Sequence, residues 1–256
     1  MGPLAVTQAL VAVGGRARRL REDGVHVGPS KAFIVSGRRS LLYWCLTSLQ
    51  WAGITDVVLA GNQQAHLERA MQVAEHVVGF NSVTTFLDAG LGVHGIPHQA
   101  IDLLQPQFVF EAGHGVSAPG HYREMIRAKL HDAIVFSAFA PDPVNPRYLT
   151  SLDRDGSCDA GSTHALAHPM VIDMDYADAL PHFGFDVNRL ADHYREQGRL
   201  RAVVSELPPE FDVAAEFHPS LRLYRENRAT FDGFPWRAPS LIRRTGPATD
   251  AALTGA

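Results

Sequence analysis

The apolar run Ala9–Val13 ends at Gly14-Gly15, and a basic stretch, Arg16-Ala17-Arg18-Arg19-Leu20, follows at once. A short strand that runs into two glycines makes a turn whose backbone N–H groups can face an anion, because no Cβ keeps the main chain away from it. Arg19 and, further on, Lys31 supply charge that backbone dipoles alone would not hold. Lys31 is set apart by its chemistry as well as its place. Only it and Lys129 are lysine among 23 Lys and Arg residues. A lysine kept in the turn Pro29-Ser30-Lys31, in a chain that otherwise uses arginine, suggests a need for a compact point charge in place of a flat fork. The plainer reading is a tight strand-to-helix turn with a solvated loop cation.

Beyond this loop, strand-length and helix-length patterns alternate. Ala9–Val13, Asp56–Ala60, Ser82–Leu87, Phe108–Ala112 and Ala133–Phe139 read as strands. Ser40–Ala52, Gln64–Val78, Gly95–Leu104 and His121–Leu130 carry helical apolar spacing. The alternation predicts an α/β fold, a Rossmann-like mixed and mostly parallel sheet with helices on both faces. Ligands on such sheets sit beyond the carboxyl ends of the strands, where Gly14-Gly15 should lie. The second half is less regular. Pro141–Gly161 reads as loop and hairpin around the turn signal Asp155-Gly156, Met170–Asp173 and Leu200–Val204 as strands, and Val187–Gln197 and Glu216–Asn227 as helices.

At 256 residues the chain can bury a full core. The expectation is one domain over 1–229 and an irregular tail over 230–256, with Arg243–Ala256 disordered. A net charge of −4 and no basic tract speak against nucleic acid as a partner. Cys45 and Cys158 lie far apart without metal-type spacing, which fits reduced thiols. No run reaches the roughly 18 apolar residues of a membrane span. A cytoplasmic protein with no membrane partner is expected, and the sequence leaves a homo-oligomer open.

The order Gly14, Gly15, Arg16, Ala17, Arg18, Arg19, Leu20, then Lys31, then Ser40–Ala52 and Ala52-Gly53-Ile54-Thr55-Asp56 resembles the sugar-1-phosphate nucleotidyltransferases, or nucleotide-diphospho-sugar pyrophosphorylases. The resemblance covers roughly 5–227 in layout and is most specific over 9–61. It implies that a nucleoside triphosphate is coupled to a phosphorylated small-molecule acceptor such as a sugar 1-phosphate, releasing pyrophosphate. Arg19 and Lys31 would be catalytic, the first gripping the leaving pyrophosphate and the second the α-phosphate. Gly14, Gly15, Arg16 and Gly92 would contact nucleotide, Gly92 through the segment Gly92-Val93-His94-Gly95. A divalent metal, Mg²⁺ or Mn²⁺, would be held by Asp212, in Phe211-Asp212-Val213, and by His114.

The chain also departs from that pattern. Histidine stands at 114 where the family has aspartate, and imidazole is a poor ligand for Mg²⁺. The base-reading residue before Gly92 is missing or replaced by Asp88. No lysine occurs over Asp153–His168, so His164, His168 or an arginine would have to bind the acceptor. These departures motivate a second reading, a pseudoenzyme of the same fold with a regulatory or assembly role. A third is a metal-dependent GT-A-type glycosyltransferase using Asp173 and Asp175, although Asp175 also suits a helix N-cap. His94 and His98, four residues apart, read more simply as a polar helix face than as metal ligands. Phe231–Trp236 is expected to cover a core edge.

Overall fold

The structure, a computed structural model, describes residues 6–14, 30–36, 39–129, 133–139, 148–153 and 155–205. Strand β1 (Gln8–Ala12) lies at the centre. After a 3-10 turn, Lys31–Phe33, the two-residue strands β2 (Val35–Ser36) and β3 (Arg39–Ser40) form a small antiparallel pair. Helix α1 (Leu41–Ala52), strand β4 (Asp56–Gly61), helix α2 (Gln64–Ala74) and strand β5 (Ser82–Leu87) follow. Then come α3 (Ile96–Gln99), β6 (Gln107–Ala112), α4 (Pro119–Ala128) and β7 (Ile134–Phe139). The chain continues with β8 (Leu149–Leu152), β9 (Cys158–Asp173), α5 (Met174–Ala179), α6 (Val187–Glu196) and β10 (Leu200–Val204).

The main sheet has eight strands in the order β10-β7-β9-β6-β1-β4-β5, with β8 paired to β9. All pairs along β6-β1-β4-β5 are parallel, as is β10 with β7. Only β9, set between β6 and β7, runs the other way; its hairpin mate β8 is antiparallel to it and so points with the rest. The sheet is thus mixed and mostly parallel, as the alternating pattern predicts. Successive strand residues point to opposite faces, and both faces are covered. Val11, Leu59, Val109 and Val135 pack with α1, α2 and α4. Leu10, Val58, Phe108, Phe110 and Ile134 pack with α3, α5 and α6.

Local chemistry explains the element ends. Ser40 Oγ accepts from Tyr43 N at 3.2 Å and starts α1, and the left-handed Gly53 stops it. The expected helix Gly95–Leu104 is instead three pieces: a 3-10 turn at Val93–Gly95, the four-residue α3, and a 3-10 turn at Ile101–Leu103. Pro97 sits in the first turn of α3, where its missing N–H breaks no helical bond. His94 and His98 do not share a helix face: His94 stacks on His168 and His98 tilts against Phe185.

The segment expected as the strand Met170–Asp173 is the end of the 16-residue β9. Its first part alternates poorly because Asp159–Thr163 is exposed, while His168–Ile172 is buried. The Asp155-Gly156 turn is present, with Gly156 N donating to Asp153 O at 3.0 Å. It folds back onto the outer edge of β10, where Ser157 bridges Arg201 and Ala202 N donates to Gly156 O at 2.9 Å. Cys158 opens β9 and is not in a loop; it and Cys45 are both free and buried. No helix among the described residues is long and apolar enough to cross a membrane. The expected helix Glu216–Asn227, the tail 230–256 and Phe231–Trp236 lie outside the described residues.

Candidate active site

Three loops meet at the carboxyl ends of β1, β4 and β6. Val13 N donates to Ala60 O at 2.7 Å and Gly113 N to Ala12 O at 2.8 Å, so the loops after the three strands leave side by side. Gly14 stands at a tight point. A Cβ there would lie 3.2 Å from Asn62 N and Asn62 Oδ1, so a side chain would push the loops apart. Asn62 itself is exposed at the end of β4. Gly15, Arg16 and Arg19 lie outside the described residues.

Lys31 stands beside this junction, half-buried, as the first residue of its 3-10 turn. The preceding Ser30 is 1% exposed. Its hydroxyl donates to Val13 O at 3.0 Å and accepts from Ala32 N at 3.3 Å. The turn's Phe33 packs near the His66 ring and under the Arg69 guanidinium, which lies 4.8 Å from its centroid. The structure thus brings two expected residues, Gly14 and Lys31, to one end of the sheet, although 17 residues of sequence separate them.

His114 stands at the same end, half-buried, in the turn after β6 closed by Gly115 N to Ala112 O at 2.7 Å. Beneath it is Glu111, fully buried. One of its carboxylate oxygens accepts from Ala112 N at 2.8 Å and the other from the Tyr122 hydroxyl at 2.6 Å. A Cβ on Gly115 would lie 2.5 Å from Glu111 Oε1, so only glycine lets the loop curl over this carboxylate. Burial first, and then the Glu111 charge, push the Cys45 thiol and the Tyr122 hydroxyl well above their ordinary pKa values.

Gly92 is exposed with φ +84°, just before the Val93–Gly95 turn. Asp88, the candidate base reader, accepts from Gly90 N at 2.7 Å, so one of its oxygens already closes a turn. His168 is buried against the other face of the sheet end: Nδ1 lies 3.4 Å from Phe110 O, and the ring meets Phe110 edge-on at 4.8 Å. His164 lies on β9 with Nδ1 2.9 Å from Thr163 Oγ1.

Two further expectations change. Asp173 pairs in register with Gln107, at the start of β6. That is the amino end of the sheet, roughly 17 Å of strand from the glycine loop. Asp173 is held there by Lys129 Nζ at 2.8 Å and caps α5 by accepting from Tyr176 N at 3.0 Å. The helix cap is therefore Asp173 and not Asp175, and the pair does not form a metal motif at the glycine-loop end. Among the described residues no three His, Cys, Asp or Glu side chains gather as a metal site. His114, the described half of the expected pair, offers an imidazole where Mg²⁺ favours oxygen; Asp212 lies outside the described residues. The described residues alone do not fit a magnesium centre.

No family model matches the chain, and no curated protein sequence matches it. Solved structures do. The crystal structure of HddC from Yersinia pseudotuberculosis superposes with a TM-score of 0.66 at 16% identity, covering 86% of this chain and 100% of that one. The inositol-1-phosphate CTP transferase from T. maritima gives 0.64 at 13%, covering 88% and 97%. A UDP-glucose pyrophosphorylase complexed with UDP-glucose gives 0.66 at 12%, covering 87% and 100%. At such identities the likeness establishes the fold, which is the nucleotide-diphospho-sugar transferase type.

Proposed function

We propose that this protein is a nucleotidyltransferase that couples a nucleoside triphosphate to a sugar 1-phosphate, or a similar phosphorylated small molecule, and releases pyrophosphate. The observation that supports the reading is the bond from Ser30, next to Lys31, to Val13, next to Gly14, at the carboxyl end of β1. The same fold serves an inositol-1-phosphate CTP transferase and a UDP-glucose pyrophosphorylase.

In the reaction, an oxygen of the acceptor phosphate forms a bond to the α-phosphorus. The bond from that phosphorus to the bridging oxygen breaks, and pyrophosphate leaves with the electron pair. Two anions must approach, so fixed positive charge does most of the work. Backbone N–H groups of Gly14 and Gly15 cradle phosphate, Arg16 and Gly92 contact nucleotide, Lys31 faces the α-phosphate and Arg19 the departing pyrophosphate. Asp212 and His114 are the proposed holders of a divalent cation, and an imidazole suits Mn²⁺ better than Mg²⁺.

Calorimetric titration with ATP, GTP, CTP, UTP and dTTP, with and without Mg²⁺ or Mn²⁺, tests the reading. Binding of one nucleotide, followed by pyrophosphate release with glucose 1-phosphate or inositol 1-phosphate, is expected. Binding of none of the five would overturn it. The pseudoenzyme reading is favoured by one observation, His114 at the aspartate's place. His114→Asp separates the two: an enzyme adapted to histidine loses turnover, whereas a pseudoenzyme with an otherwise sound site gains it.

A further inference from the structure

We propose that Ser30 is the positioning residue for Lys31, setting where its ammonium stands over the phosphate loop; this rests on the nucleotidyltransferase reading. A lysine side chain has four rotatable bonds and a roughly spherical charge, so precision at its tip has to start from a fixed backbone. Ser30 supplies that fixture. Val13 is fully buried at the end of the central strand, and a buried carbonyl there needs a donor. The Ser30 hydroxyl provides it at 3.0 Å, and its oxygen accepts from Ala32 N at 3.3 Å.

A hydroxyl has one proton to give. Here it goes to Val13 O at 3.0 Å, with Gly14 O a longer second acceptor at 3.5 Å, while the oxygen caps the turn that Lys31 opens. Two peptide units that border the reacting phosphate, one on each side, are thus tied by a single rotor across 17 residues of sequence. The seat is rigid on both flanks: Val13 N is held by Ala60 O, and Phe33 packs between His66 and Arg69. Ser30 has no surface from which to touch substrate, so it acts through its neighbour. Alanine at 30 keeps the volume but leaves Val13 O without this donor and the turn without its cap. The freed turn moves Lys31 relative to Gly14, and displacements of about 1 Å at such sites cost on the order of 100-fold in rate.

A double-mutant cycle tests this. Ser30→Ala, Lys31→Ala and the double variant are compared in pyrophosphate release, and in calorimetric Kd for the nucleotide that binds the parent protein. Ser30→Ala is expected to lower turnover by about 10- to 100-fold alone and to add nothing in the Lys31→Ala background, because the residue it positions is gone. A purely structural serine gives the same factor in both backgrounds, and that result overturns the proposal while leaving the nucleotidyltransferase reading intact. Near-normal turnover of Lys31→Ala itself overturns both. Thr7→Val, which removes a part-buried hydroxyl that donates to Gln105 Oε1 at 2.9 Å at the amino end of the sheet, reports the generic effect of such a loss. Should Ser30→Ala be insoluble, Ser30→Cys, a weaker donor of similar size, goes through the same cycle with the same two outcomes.

Discussion

Lys31 and Lys129, the chain's two lysines, stand at opposite ends of one sheet and show how differently a protein can use the same cation. At the amino end, Lys129 is enclosed. Its ammonium sits 2.8 Å from Asp173 and also donates to Ala133 O, with the side chain 1% exposed. Asp173 in turn caps α5. This is a closed electrostatic knot joining α4, β7, β9 and α5. At the carboxyl end, Lys31 is only half-buried, and the buried fixture is the serine before it. The fold thus encloses one lysine completely and sets the other, half-exposed, on a turn whose backbone is fixed from the core.

The comparison can be broken from either side. The largest expected effect is on stability at the amino end. Lys129→Ala leaves Asp173 buried without its counter-ion and should cost about 3–5 kcal/mol, read by urea denaturation. Lys129→Met with Asp173→Asn should recover part of that loss, since no charge is then stranded. Turnover of the protein that remains folded should stay normal. Lys31→Ala should show the reverse: turnover down about 10²- to 10³-fold, with the urea midpoint almost unmoved. A Lys31→Ala protein that unfolds easily would show that both lysines are structural.

The third test concerns a buried base that belongs to neither lysine. His121 Nε2 lies 3.0 Å from Ser137 Oγ, and burial lowers its pKa from 6.5 to about 4. The unfolded chain takes up this proton near pH 6.5 and the folded protein only near pH 4, so the unfolded state binds more protons between the two values. Stability from this group is present above pH 6.5 and is lost as the pH falls towards 4, by at most about 3 kcal/mol. His121→Gln should flatten that acid limb. An unchanged limb would assign acid sensitivity elsewhere.

Much of the architecture was legible because it follows local period and punctuation. Ser82–Leu87 and Leu200–Val204 lie where the β-rich runs predict them. The sixteen residues of β9 did not announce themselves, because its first part hangs off the sheet as an exposed polar hairpin. The meeting of Gly14 and Lys31 was legible as a motif, yet the bond from Ser30 to Val13 was not, since no short-range pattern reports a contact across 17 residues. Glu111 was missed for another reason. An acid inside an apolar run reads as a solvent-facing position, and the Tyr122 hydroxyl from α4 and the Ala112 N–H help make its burial tolerable. Asp173-Met174-Asp175 misled in the opposite sense: the pattern suits a metal, but the register puts it at the wrong end of the sheet.

The hairpin turn that folds over β10 has one more consequence. Sheets recruit new strands only at open edges. Gly156 and Ser157 lie along the outside of β10, while β5 ends the strand order at the far margin of the main sheet. Backbone groups of β10 at Arg201 and Ala202 are therefore already engaged within the chain. A strand arriving from outside would have to displace that turn before it could pair along β10.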